Sequence, residues 1–296
     1  MNYPVGVQDE PRHPLDISRR QNGPKARRFI YRHAMLVRIT HWINVLCVVL
    51  LLMSGLQIFN AHPALYWGEI SNFDAPAFAI TTRKTEDGET RGVTDFAGRQ
   101  VDTTGWLGLS RDSAGNRVAR AFPAWATLPS WQSLAEGRLW HFFFAWIFVL
   151  NGFVYLLYGV LNGHLRRDLV PSRRDLGQVG RTIWDHLRLR FPAGEEALRY
   201  NVPQQISYVA VVFGLLPVLI VAGLAMSPRL DAAFPWMLEI FGGRQSARTV
   251  HFIAALVLVA FVLVHVFMVL VSGVWNNMRS MITGRYAIET GPDNNA

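Results

Sequence analysis

Cysteine is nearly missing: one residue, Cys47, in a chain of 296. A single thiol excludes an intrachain disulfide and any cysteine-ligated cluster within the chain. Its place inside an apolar run gives it a packing role. Charge is scarce too, at 17% of residues, and four long stretches lack it entirely: residues 39–61, 139–165, 200–228 and 249–278. Each exceeds the roughly 20 residues a helix needs to cross a bilayer. An early apolar core is also missing: nothing before residue 36 resembles a signal peptide, and residues 1–28 read as a loose polar tail.

What is present agrees with a membrane protein. Apolar residues make up 51% of the chain and there are ten tryptophans, a composition that suits lipid-facing helices with interfacial aromatics. The net charge of +8 fits basic cytoplasmic loops and gives no reason to expect nucleic-acid binding. Eighteen Lys and Arg fall in the two tails and in residues 166–199, against eleven elsewhere. That bias puts both termini on the cytoplasmic side of a bacterial inner membrane. The expectation is an all-α integral membrane protein, a four-transmembrane-helix bundle with an enlarged periplasmic loop between helices 1 and 2. Helices are expected at about 36–60, 138–163, 203–227 and 248–275, with Pro217 a kink in the third. A tail over 1–35, a periplasmic insertion over 62–136, a cytoplasmic loop over 164–202 and a tail over 286–296 complete the bundle. Asp87-Gly88 and Ala114-Gly115-Asn116 are turn signals, so the insertion reads as a small cap with a hairpin and short helices.

The fourth run holds His251 and His265, fourteen residues apart. On a helix that is a rise of about 21 Å and a net rotation of about −40°. Two imidazoles thus share one face, most of a bilayer apart, and intramembrane polar groups are costly enough to imply function. His41 opens the first run at cytoplasmic depth and His141 opens the second at outer depth. Depth pairs His141 with His251 and His41 with His265. Two layers of opposed imidazoles suit two b-type haems, each with bis-histidine axial ligation to its iron. His13, His33, His62, His164 and His186 lie in tails, loops and helix exits, where a solvated or interfacial role suffices.

Arg38, Arg138 and Arg248 each precede a paired histidine by three residues, one turn nearer the membrane surface. That is where haem propionates need cations. Gly55 follows His41 by fourteen residues, and Gly152 and Gly159 follow His141 by eleven and eighteen. All three fall close to the histidine face of their helix, where a small residue lets a flat macrocycle approach the backbone.

Several pieces together resemble the membrane-bound di-haem b-type cytochromes of bacterial respiratory enzymes. That group includes cytochrome b-561, the cytochrome b subunits of nickel–iron hydrogenase and thiosulfate reductase, and the formate dehydrogenase gamma subunit. The pieces are Arg38-x-x-His41-Trp42-x-Asn44, His141, Leu169-Val170-Pro171-Ser172-Arg173-Arg174, Tyr200-Asn201-Val202-Pro203-Gln204 and the His251/His265 pair. The likeness spans roughly residues 30–285 and departs at 62–136, which is much longer than in compact relatives. It implies a quinone beside the cytoplasmic haem, where the amides of Asn201 and Gln204 could meet a quinone carbonyl. It also implies a periplasmic molybdenum or iron–sulfur oxidoreductase subunit docking on 62–136. Electrons would pass between that partner and the quinone pool. The alternatives are a stand-alone oxidoreductase oxidising a small donor such as superoxide at the outer haem, and a metal or proton transporter using the same histidines.

Overall fold

The computed structural model describes residues 26–112, 114–163 and 202–290. Its chain runs through β1 (Ala26–Tyr31), α1 (Met35–Ala61), β2 (Ala64–Leu65), β3 (Phe78–Lys84), β4 (Thr90–Phe96), β5 (Arg99–Asp102), β6 (Gly108–Arg111), β7 (Arg117–Arg120) and α2 (Leu134–Leu161). Then come α3 (Pro203–Ala225), two short helices α4 (Pro228–Ala233) and α5 (Trp236–Phe241), α6 (Arg244–Val271), α7 (Val274–Thr283) and β8 (Arg285–Thr290).

Four of these helices, α1, α2, α3 and α6, are long and apolar enough to cross a membrane. Their large side chains face outward: Leu139, Phe143 and Leu161 on α2, and Leu263, Val264 and Phe267 on α6, are all exposed. Water would penalise that surface; hydrocarbon does not. Helix α2 starts at the N-cap Ser133, whose hydroxyl accepts from the Glu136 amide. Helix α3 is not regular throughout. Val211–Leu215 is a π turn, just before Pro217, whose missing N–H would break a tight ladder. Helix α6 begins after Gly242 and Gly243, with φ of 70° and 114°, and ends before Gly273, with φ of 104°. These left-handed positions favour glycine. The last spanning helix therefore stops at Val271 rather than near residue 275, and α7 is a separate element.

The bundle is built from two antiparallel pairs, α1 along α2 and α3 along α6. Midway along it, Cys47, Phe144 and Phe148 form a buried cluster that Leu216 of α3 joins. The lone cysteine is packing material there, 0% exposed.

The all-α expectation needs correction. The insertion folds as a β cap, with a four-stranded antiparallel sheet in the order β2-β3-β4-β5 and a β6–β7 hairpin. Asp87-Gly88 turns β3 into β4, and Gly115 turns β6 into β7, with φ of 80° and 84°. A short 3-10 turn at Ala124–Ala126 is the helical content of the cap among the described residues. The tails differ from expectation as well: β1 pairs with β8 in register from Ala26↔Thr290 to Tyr31↔Arg285. Pairing across that sequence distance is set by where the bundle brings its ends, which no local pattern reveals.

The cap is bolted to the bundle at two places. On α1, the Asn60 side chain pairs with the Phe122 backbone in both directions, at 2.7 and 3.3 Å. On α6, the Gly68 carbonyl accepts from the Gln245 and Ser246 amides at 3.0 and 3.1 Å, capping the helix start. The Thr249 hydroxyl donates to the Tyr66 carbonyl at 2.6 Å. A core of Phe59, Leu65, Ile80 and Ala121, with Phe252 against it, fills the seam.

Candidate functional site

Two histidine pairs meet across the bundle. On the cap side, the rings of His141 and His251 have centroids 6.2 Å apart at 68°. On the side of the chain ends, the rings of His41 and His265 are 6.4 Å apart at 62°. One metal ion bonded at about 2.0 Å to both rings from opposite sides would hold their centres about 6.3 Å apart. Both pairs have that spacing. Neither belongs to a cluster of three or more His, Cys, Asp or Glu among the described residues. A bare metal ion would thus find two protein donors at each level. Haem supplies four nitrogens of its own and needs two axial ligands, so the donor set fits it.

The cap-side imidazoles are fixed at their Nδ1 atoms. His251 Nδ1 lies 2.8 Å from the Leu219 carbonyl. A carbonyl only accepts, so Nδ1 carries the proton. His141 Nδ1 lies 3.2 Å from Ser54 Oγ. That hydroxyl spends its hydrogen on the Leu50 carbonyl at 2.6 Å, so toward His141 it accepts. Both rings are therefore Nδ1–H tautomers with Nε2 free for a metal, the arrangement by which surrounding groups orient metal-bound histidines. Glycines floor both rings. A Cβ on Gly55 would stand 3.4 Å from His141 Cε1, and one on Gly223 would stand 3.1 Å from His251 Cε1.

The other pair is fixed through its neighbours. Asn151 of α2 donates to the Thr40 carbonyl at 2.8 Å and to Asn44 Oδ1 at 2.7 Å. This buried bridge, polar glue between membrane helices, brackets His41. Trp42 Nε1 donates to the Met281 carbonyl at 3.1 Å, and Arg38 Nη1 to the Ile282 carbonyl at 2.5 Å. Phe261 stacks on the His265 ring at 19° and 6.2 Å.

The three arginines expected at haem propionates have separate surroundings. Arg248 donates to the Ala64 carbonyl at 3.0 Å and to the His62 carbonyl. Arg38 Nε is buried with no hydrogen-bond partner among the described residues. Arg138 is exposed, its guanidinium 5.6 Å over the Phe142 ring. None pairs with a carboxylate among the described residues. The cap adds a cation that sequence patterns missed. Arg120, 8% exposed, donates to the Ser130 carbonyl, Thr127 Oγ1 and Gln57 Oε1 at 2.7, 2.8 and 3.1 Å. Burial lowers its pKa from the ordinary arginine value. Gln57 in turn packs against Gly137, one turn before His141. Just outside α1, burial and then the nearby Arg248 lower the His62 pKa.

Of the other expected residues, a Cβ on Gly152 would meet no protein atom within 4 Å, and Gly159 is buried in α2. Gln204 lies in the first turn of α3. Asn201 and the loop from 164 lie outside the described residues. Ser54, Leu219 and Gly223 were missed. Gly223 had a signal: it sits at the same depth of the third run as Gly55 does of the first.

Comparison with known proteins places this geometry. A model of the prokaryotic cytochrome b561 family matches residues 32–284. A protein of Azospira oryzae, named provisionally as protein-methionine-sulfoxide reductase subunit YedZ1, is 27% identical over 238 residues, which is 80% of this chain and 89% of that protein. The chain therefore belongs to the prokaryotic cytochrome b561 family, multi-pass membrane proteins that bind b-type haem and carry electrons.

Proposed function

We propose that the chain is the membrane subunit of a respiratory oxidoreductase, holding two b-type haems and passing electrons between a periplasmic partner enzyme and quinone. The observation that carries this reading is the pair of imidazole couples, 6.2 and 6.4 Å across, at opposite ends of one bundle. When bound, each haem supplies one-electron carriage. His141 and His251 would be axial ligands on the cap side, and His41 and His265 on the other. Arg248 and Arg38 stand one turn toward the surface from their histidines, where propionates need cations. The Cys47–Phe144–Phe148 cluster keeps water out of the span between the levels.

The excess of Lys and Arg in the tails and the 166–199 loop supports cytoplasmic termini and a periplasmic cap in the inner membrane. Quinone would sit beside His265, with the amides of Asn201 and Gln204 donating to its carbonyl, and protons coming from cytoplasmic water. A molybdenum or iron–sulfur subunit would dock on the cap. The Azospira relative's name as a reductase subunit supports a partnered protein over a stand-alone one.

The test is haem stoichiometry in the purified chain. Two haems per polypeptide are expected, with His41→Ala and His251→Ala each removing one. Full pigment in either variant ends the reading. Co-purification of a tagged chain with a redox enzyme, or quinone reduction by the chain alone with superoxide as donor, separates subunit from stand-alone enzyme.

A further inference from the structure

Helix α3 supplies no histidine, yet its backbone reaches the cap-side pair. The Leu219 carbonyl accepts from His251 Nδ1–H at 2.8 Å. In a helix that carbonyl also receives the amide of residue 223, and its two lone pairs can serve both. Residue 223 lies on the same face one turn on, so its side chain would cover the approach. Gly223 has none: a Cβ would stand 3.1 Å from His251 Cε1 and 3.3 Å from Nδ1, tighter than an ordinary contact. Upstream, the π turn over Val211–Leu215 inserts an extra residue into the helical repeat. One residue is about 100° of rotation, so this turn decides which face of α3 carries Leu219 and Gly223. Pro217 follows it and removes an N–H that a regular helix would need.

We infer that the π turn, the Leu219 carbonyl and Gly223 form one device on α3 that positions His251 as a metal ligand. The inference rests on the two-haem reading above. Gly223 is a positioning residue in it: it admits the imidazole to a backbone acceptor and holds the proton on Nδ1. A ring that donates from Nδ1 becomes a more basic donor at Nε2. That stabilises the oxidised iron relative to the reduced and lowers the potential of that couple. Ser54 and Gly55 do the same for His141 on α1, with more room: the Gly55 contact of 3.4 Å is an ordinary one.

The experiment is a potentiometric titration of the purified full chain, followed by visible spectra and by low-temperature electron paramagnetic resonance of the oxidised haems. Gly223→Ala pushes the ring off its acceptor. Pro217→Ala restores the missing N–H, lets the π turn relax and adds no bulk at His251. Val218→Ala is the control, because that side chain is exposed on α3 and lies outside the π turn. In both test variants the His141/His251 couple should move to higher potential, with a several-fold higher ratio of reduced to oxidised haem at the parent's midpoint and altered g values. The other couple and the control should stay at parent values. Equal movement of both couples, movement in Val218→Ala, or an unmoved couple in the test variants overturns the inference. If Gly223→Ala fails to retain its haem, Pro217→Ala decides alone. A parent with one haem instead defeats the two-haem reading, which is a different failure.

Discussion

The two histidine levels differ in what holds them. On the cap side each imidazole is gripped at its own nitrogen, by Ser54 Oγ and by the Leu219 carbonyl. On the other side the rings have no hydrogen-bond partner among the described residues, and the grip is on what flanks them. Asn151 holds the backbone at Thr40 and the Asn44 side chain, while Trp42 and Arg38 hold the last turn of α7. A ring pinned at Nδ1 has its tautomer and plane set before any ligand arrives. A ring positioned by its neighbours keeps the rotational freedom that its side-chain torsions allow. The cap-side level is thus built for a fixed electronic setting. The other level leaves its rings to be oriented by their neighbours, an arrangement compatible with the proposed quinone.

That contrast can be broken from either side. The largest stability effect should come from Arg248→Ala, which strips donors from the His62 and Ala64 carbonyls. The His62 carbonyl keeps the Ala64 amide at 2.9 Å, and an acceptor that loses its donor costs about 1–3 kcal/mol, so a loss of about 2 kcal/mol is expected. It should appear as a lower Tm in detergent, with pigment lost first from the cap-side level. Equal loss from both levels would show that the cap anchors the whole bundle rather than one layer of it. Asn151→Leu should cost less, about 1 kcal/mol, as interhelical hydrogen bonds in membranes do. Its mark should be a spectral shift confined to the haem proposed at His41 and His265. A shift in the haem proposed at the cap side would contradict the separation of the two levels.

The smallest effect concerns His62, at the seam between α1 and the cap. Its folded pKa lies below the ordinary value because of burial and then the Arg248 charge. The unfolded chain therefore binds the proton more readily, and stability must fall with acidification. The loss begins as pH drops through about 6.5, the ordinary histidine value, and levels off below the folded pKa. Melting the parent and His62→Gln from about pH 7.5 to 5.5 should show a shallower decline in the variant. Parallel curves would remove His62 from the account.

Much of this is legible in the sequence. Four charge-free runs announced four spanning helices, because no other element satisfies its backbone in lipid. Counting residues from each run's end gave the depths of His41, His141, His251 and His265, and the structure brings together the residues of equal depth. Asp87-Gly88 and Gly115 were legible as turns, because local backbone chemistry decides them. Less could be read where partners are distant in sequence. The β1–β8 pair joins the two ends of the chain. Arg248 ends on carbonyls of residues 62 and 64. Gly223 meets a histidine on another helix.

The sequence by itself determined the number of spans, the depth of each imidazole and the places where the backbone turns. These follow from hydropathy and helical rise, which are properties of one segment at a time. Only the tertiary structure decided which nitrogen of each cap-side ring carries the proton, which glycine makes room for it, and that the insertion folds as strands clamped onto α1 and α6. Those outcomes depend on hydrogen bonds of about 3 Å between separate helices, and a one-dimensional pattern does not fix how two helices rotate against each other.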